Sequence, residues 1–188
     1  LPAALWALPR SPRLAAGRLL RGSSRLRAVW ERLTSVPAAA LIYAAVLWFW
    51  HHPRAYEAAL AAEWVHHFEH LTFFGAALIF WWPVIGPAPR ARRPASHGLR
   101  IAHVLVAALH GTALALLLAW TPRVLYASYA TGPRATALAP LEDQALGGVI
   151  MWAGGSTVDM LAVLLLVWAL LAASERRVGT APAELGAK

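Results

Sequence analysis

The chain has 188 residues, of which 59% are apolar and only 14% are charged. Soluble domains average about 25% charged residues, so this composition argues against a soluble globular protein. The formal net charge of +8 would suit nucleic acid if the basic residues formed one patch, but they are spread between apolar segments and we expect no such partner. Because the chain has no cysteine, it can form neither a disulfide nor a thiolate metal site.

Four apolar segments are long enough, or nearly long enough, to cross a bilayer core of about 30 Å, which takes about 20 helical residues. They run from Leu33 to Trp50, Ala61 to Trp82, Ile101 to Trp120 and Ala145 to Ala172. The sequence therefore predicts an all-α, polytopic membrane bundle of about four transmembrane helices. We assign residues 33–173 to this bundle, residues 1–32 to a basic cytoplasmic or interfacial segment, and residues 174–188 to a cytoplasmic tail.

The basic residues predict the orientation of this bundle. Fourteen of the 17 Lys and Arg residues lie before the first span, between the second and third spans, or after the fourth. Four crossings place these three regions on one side, which the positive-inside rule makes cytoplasmic. Both termini are therefore expected in the cytoplasm. Apolar residues interleaved in the basic segment predict a helix lying on anionic lipid, and a surface for a partner protein is the alternative.

The second span begins with a dense cluster of histidines and acids. His66 and His70 are four residues apart, and Glu63 shares their face if the segment is helical. Two such imidazoles can bind one metal ion, and Glu69 is a candidate to orient one of them through its other ring nitrogen. Hydrogen bonding between helices is the alternative role for these histidines.

The predicted topology brings further side chains toward the outer half of the bundle. It places His70 and His110 at a similar depth, with His103 nearer the cytoplasm. One outward-facing pocket is therefore expected to draw its metal ligands from His51 or His52, His66, His70, His110 and Met151. Imidazole suits several transition metals, and a thioether favours Cu(I), so copper is the predicted metal. Haem held between His70 and His110 is the alternative cofactor.

Asp159 and two glycine pairs lie in the fourth span. An ionisable group inside a membrane usually faces protein or a cavity, so Asp159 is expected to accept a hydrogen bond from a histidine or to pair with a polar group such as Ser156 or Thr112. Gly147–Gly148 and Gly154–Gly155 predict close helix packing. The acids at Glu142 and Asp143, with Gln144, are expected to cap the start of the fourth helix.

The common catalytic motifs are absent from the sequence. There is no Walker loop, dinucleotide fingerprint or nucleophile elbow. The order His-x-x-Glu-His also occurs in inverted zinc proteases, but nothing else in the sequence indicates a peptide-cleaving cleft. We therefore predict that the protein is not an enzyme.

Several of these motifs occur together in a known family. They are Trp50-His51-x-Pro53, His66-x-x-Glu69-His70-Leu71-x-Phe73, Phe80-Trp81-Trp82-Pro83, and the run from Pro140 to Trp152. Together with His110 they resemble the CtaG family of cytochrome c oxidase assembly factors, the multi-pass membrane proteins associated with caa-type oxidases. The resemblance extends from about Leu33 to Trp168. It implies a protein of the bacterial plasma membrane that is needed to form active, copper-loaded oxidase.

The resemblance also assigns residues and exposes two departures. His51, His66, Glu69, His70, His110 and Met151 fall on the motif positions of the family. Family members usually have about seven transmembrane helices, so further helices are expected before this chain. The segment after Trp152 departs from the more apolar family pattern, which makes Asp159 a candidate specialisation beside the metal site.

These observations lead to one predicted function and two alternatives. The predicted function is a membrane-embedded assembly factor that binds copper through an outward-facing histidine cluster, with membrane lipid and haem-copper oxidase subunits, or another membrane complex, as partners. The first alternative is a structural or accessory subunit of a membrane respiratory complex. The second is a haem-binding membrane electron carrier.

Overall fold

The computed structural model describes residues 24–86, 95–131 and 138–179, and within these ranges the regular structure is entirely helical. The helices, in chain order, are α1 Ser24–Leu33, α2 Val36–Trp50, α3 Pro53–Ala61, α4 Glu63–Ile85, α5 His97–Trp120, α6 Ala127–Thr131 and α7 Pro140–Gly179. The predicted all-α class is confirmed. Residues 1–23 of the predicted interfacial segment lie outside the described ranges.

The described helices also confirm the predicted number of membrane spans. α4, α5 and α7 are each long and apolar enough to cross a membrane, and α1 with α2 passes the same test as a pair bent by 67°. The bend lies at Thr34 and Ser35, whose hydroxyls each donate a 2.7 Å hydrogen bond to a carbonyl in the last turn of α1. α2 then begins with a proline in its first turn, a position where the missing backbone N–H costs no helical hydrogen bond.

Two helix boundaries differ from the prediction. The second span was predicted to begin at Ala61, but Ala62 is extended (φ −141°, ψ 119°), so α4 begins at Glu63 and α3 is a separate helix. No Gly or Pro marks that break in the sequence. At its other end α4 continues past Pro83 and ends at Gly86, whose φ of 61° is the left-handed conformation typical of a helix C-terminus.

The last helix is longer than its apolar part. α7 has 40 residues, which corresponds to about 60 Å at 1.5 Å per residue, whereas the predicted span ran from Ala145 to Ala172. The apolar pattern marks only the length that lipid can surround, so the polar turns at both ends were missed. At its start Glu142 accepts a 2.9 Å hydrogen bond from the Ala139 N–H, as its predicted capping role requires.

α2 packs against both α4 and α5, and α5 makes its most extensive contact with α7. At the end of the bundle near Arg100, a buried apolar cluster formed by Val84, Val104 and Leu166 joins α4, α5 and α7. His103 is 3% exposed there, with its Nε2 3.1 Å from the Phe80 carbonyl oxygen. Its ring stacks on that of Phe80 with centroids 4.3 Å apart. His103 therefore joins α4 to α5 and stands apart from the other histidines.

α5 and α7 approach most closely at a glycine. A Cβ atom on Gly148 would lie 2.8 Å from the Ala115 carbonyl oxygen and 3.1 Å from the Ala119 nitrogen. This confirms the packing role predicted for Gly148. Among the residues that the structure describes, a Cβ atom added at Gly154 or Gly155 would meet nothing within 4 Å, so the packing role of these two glycines stays a prediction.

Candidate metal centre

The first turns of α4 place two imidazoles side by side. Because His66 and His70 are one helical turn apart, their side chains meet, with the two Nε2 atoms 3.1 Å apart and the ring centroids 4.6 Å apart. At about 1.5 Å per residue, they lie roughly 5 and 10 Å from the start of α4. The spacing in the sequence therefore does bring the two Nε2 atoms together, at hydrogen-bonding distance from each other.

Glu69 lies on the other side of the His66 ring. Its Oε2 atom is 3.7 Å from Nδ1 of His66, and its side chain is only 16% exposed, whereas that of His66 is 48% exposed. A carboxylate at Nδ1 favours the tautomer that keeps its proton there and leaves the Nε2 lone pair available. Glu69 is thus placed beside the ring nitrogen of His66 that does not face His70.

Neighbouring His67 belongs to a different contact. Its Nε2 atom lies 3.6 Å from Oε1 of Glu63, and both side chains are largely exposed. The Glu63 carboxylate, predicted to share the face of the pair, thus contacts His67. His67 is therefore a natural control residue for the pair.

The geometry of the pair fits a bound transition metal. With metal–nitrogen bonds of about 2.0–2.1 Å, two nitrogens at a tetrahedral angle lie about 3.3 Å apart, close to the observed 3.1 Å. Imidazole is a good ligand for copper. The described residues contain no group of three His, Asp or Glu side chains that could hold a metal ion, so a metal ion bound here would take at most two ligands from the pair.

His51 and His110 each have a contact outside the pair. Nδ1 of His51 lies 2.8 Å from the Leu47 carbonyl oxygen at the end of α2. The ring of His110 lies against that of Tyr43 on α2, with centroids 5.9 Å apart. Among the described residues no third His, Asp or Glu joins the pair in a group that could hold a metal ion, so the convergence of His51 and His110 with the pair, and a haem between His70 and His110, stay predictions.

Two predicted residues lie on α7. Met151 and Asp159 are both half-buried there, on the helix whose main partner is α5. Met151 as a copper ligand and Asp159 as a supporting group stay predictions.

A cluster of three tyrosines that the sequence analysis missed covers the Trp50 end of the bundle. The rings of Tyr56 and Tyr126 stack with centroids 4.1 Å apart, and Tyr129 lies beside both. Burial raises the pKa of Tyr126 to about 12, so its hydroxyl stays protonated and donates a 3.1 Å hydrogen bond to the His51 carbonyl oxygen. Burial, and then a hydrogen bond with Tyr129, raises the pKa of Tyr56 as well.

Gln144 secures the segment that carries this cluster. It is 2% exposed, accepts a 2.7 Å bond from the Leu125 N–H, and donates to the carbonyls of Leu118 and Arg123. Glu57 on α3 accepts a 3.0 Å bond from the Ser128 N–H at the start of α6. The sequence indicated Gln144 only as part of a helix cap, because its spacing cannot reveal a loop folding back onto it.

Comparison with known proteins identifies the family. The model of the family described as "Cytochrome c oxidase caa3 assembly factor (Caa3_CtaG)" matches residues 1–173, which is nearly the whole chain and includes every candidate site residue. No curated protein and no solved structure matches the chain. The chain therefore belongs to the family of cytochrome c oxidase caa3 assembly factors.

Proposed function

We propose that this chain assists the assembly of a haem-copper cytochrome c oxidase by binding copper at the His66–His70 pair. The observation that carries the proposal is the 3.1 Å separation of the two Nε2 atoms, together with Glu69 at the far side of one ring. Two imidazoles held at this distance can bind copper without rearrangement of the helix. Membership of the assembly-factor family supports oxidase assembly as the process in which the bound copper is used.

The same proposal includes a location and an orientation. The chain crosses the bacterial plasma membrane with both termini in the cytoplasm, so the Trp50 end of the bundle faces outward. The three chain regions that hold fourteen of the 17 Lys and Arg residues support this orientation through the positive-inside rule. It places the His66–His70 pair within about 10 Å of the outer end of α4, within reach of copper and of oxidase subunits outside the cell.

In this function the chain binds cargo and carries out no catalysis. The Nε2 lone pairs of His66 and His70 donate to copper, and Glu69 keeps the remaining proton of His66 at Nδ1. The tyrosine cluster and Gln144 hold the end of the bundle from which the pair is reached. Membrane lipid surrounds the apolar helices, and oxidase subunits receive the copper.

A copper titration tests this proposal. Purified protein titrated with Cu(I) against a chromophoric chelator is expected to bind copper, and the double substitution His66→Ala, His70→Ala to abolish that binding, because both donor atoms are removed. Glu69→Gln should weaken affinity by about 10–100-fold, the usual effect of losing a group that orients a metal-binding histidine.

His67→Ala is the matched control for the titration. It removes an exposed imidazole from the same helical turn, whose ring meets that of His66 only edge-on with centroids 6.4 Å apart, and it leaves both proposed donors in place, so copper affinity should be unchanged. If the double substitution binds copper as tightly as the parent chain, the His66–His70 pair is not the site.

A further inference from the structure

Helix α1 bends sharply away from the helix that follows it. The two axes differ by 67°, and membrane-spanning helices tilt on average by only about 20° from the bilayer normal, so α1 runs closer to the membrane plane than to the normal. The ring of Trp30 meets that of Trp82 edge-on, with centroids 4.8 Å apart, and Trp82 lies in the last turn of α4. Because tryptophan concentrates at the membrane–water interface, this contact places α1 at the interface on that side of the bundle.

One side of α1 is apolar and the other is polar. Its large apolar residues follow the i, i+3, i+4, i+7 spacing of a single helical face: Leu26, Val29, Trp30 and Leu33. Trp30 is the part of this stripe that packs on the bundle, whereas Leu26 is 47% and Val29 51% exposed. Ala28 is exposed on the opposite side of the helix. The apolar stripe therefore continues from the bundle outward along the interface.

Arginines border this apolar stripe. Arg25 and Arg32 are seven residues apart, so they share one flank of α1, and both are exposed. Arg27 lies on the other flank, where it is 3.6 Å from Glu31 and has 60% of its side chain exposed. Arginine can lay its apolar stem along such a surface and keep its charge among the lipid headgroups. A stripe with cations at its edges is thus complementary to acyl chains beneath anionic headgroups, whereas lipid without net charge would leave the cations unmatched.

We propose that α1 binds the surface of the cytoplasmic leaflet and selects its anionic lipids. The apolar stripe inserts at the boundary between headgroups and acyl chains, as the apolar face of an interfacial helix does, and Arg25 and Arg32 contact lipid phosphates. The orientation proposed above puts this end of the bundle in the cytoplasm, where the leaflet carries anionic lipid. This binding is independent of copper. It narrows the interfacial role expected for residues 1–32 to one helix, one face and one class of lipid.

Spin labels on single cysteines test the proposal, because the chain has no cysteine of its own. Val29→Cys places a label on the apolar stripe, and Ala28→Cys places one on the polar side of the same turn. In nanodiscs that contain phosphatidylglycerol, collisions with dissolved oxygen and with a neutral nickel chelate measure whether each label lies in lipid or in water. We expect the Val29→Cys label to collide mainly with oxygen and the Ala28→Cys label mainly with the chelate. In nanodiscs of phosphatidylcholine alone, the chelate should reach the Val29→Cys label severalfold more often.

Removal of two charges tests the preference for anionic lipid. Adding Arg25→Gln and Arg32→Gln to Val29→Cys should give the phosphatidylcholine result even in phosphatidylglycerol, because the cations that select the lipid are gone. Arg54→Gln with Arg123→Gln is the matched control, since both of these arginines are exposed at the opposite end of the bundle. It removes the same charge and should change neither collision rate.

Three outcomes would overturn the proposal. Equal collision rates with the chelate at Val29→Cys and Ala28→Cys would show that α1 lies in water, where it could meet a protein partner. A Val29→Cys label shielded from both oxygen and the chelate would show that protein covers the stripe. The same strong preference for oxygen in both lipids would show that α1 lies on the bilayer without selecting anionic lipid.

Discussion

Cells whose only copy of this protein carries His66→Ala and His70→Ala are expected to lose most of their copper-loaded caa3-type oxidase when copper is scarce. The two Nε2 atoms, 3.1 Å apart, are the donors proposed to hold the copper, and neither alanine can replace them. Added copper should restore part of the activity, because mass action then loads the oxidase without a dedicated carrier. The measurement is the copper content of the purified oxidase, together with oxygen uptake by membranes.

This effect has to be separated from a simple loss of the protein. Both histidine side chains are exposed, so their removal leaves no cavity and the chain should accumulate normally on an immunoblot. A strain with His67→Ala provides the comparison, and its oxidase should keep its copper. Full copper loading of the oxidase in the double-substitution strain at limiting copper would refute the role proposed for the pair.

Gly148→Leu is expected to cause the largest loss of stability. Even a Cβ atom at this position would lie 2.8 Å from the Ala115 carbonyl oxygen, and that atom belongs to the backbone of α5 and cannot rotate away. Overpacking of this kind typically costs about 1–3 kcal/mol and occasionally more. A leucine adds three further carbons and should force α5 and α7 apart.

Thermal unfolding in detergent, followed by circular dichroism, measures this loss. Gly154→Leu is the control on the same helix, since an added Cβ atom there meets nothing within 4 Å. Both substitutions change helix propensity equally, so the difference between them reports packing. Equal melting temperatures for the two variants would show that the contact at Gly148 is not tight.

Much of the fold follows directly from the sequence. A membrane span must be apolar for about 20 residues, so composition alone locates α4, α5 and most of α7. What composition misses is set by contacts or by single backbone angles. The break at Ala62 comes from one extended residue, and the polar turns of α7 beyond Ala172 are not surrounded by lipid.

The site was predictable only where it is local. The i, i+4 spacing of His66 and His70 forces their rings together on any α-helix, and Glu69 comes with them. His51 and His110 belong to other elements, so their positions depend on helix rotation and on how α2 packs, which no spacing reveals. The fold-back of the segment onto Gln144 and the stacking of Tyr56 on Tyr126 are likewise tertiary contacts between distant residues.

The copper K-edge X-ray absorption spectrum of the loaded protein tests copper binding at the His66–His70 pair. The His66–His70 pair predicts nitrogen neighbours at about 2.0 Å with the outer-shell scattering of imidazole rings. That signal should disappear in the His66→Ala, His70→Ala protein and persist in His67→Ala. An imidazole spectrum that is the same in the double substitution as in the parent chain would contradict copper binding at this pair.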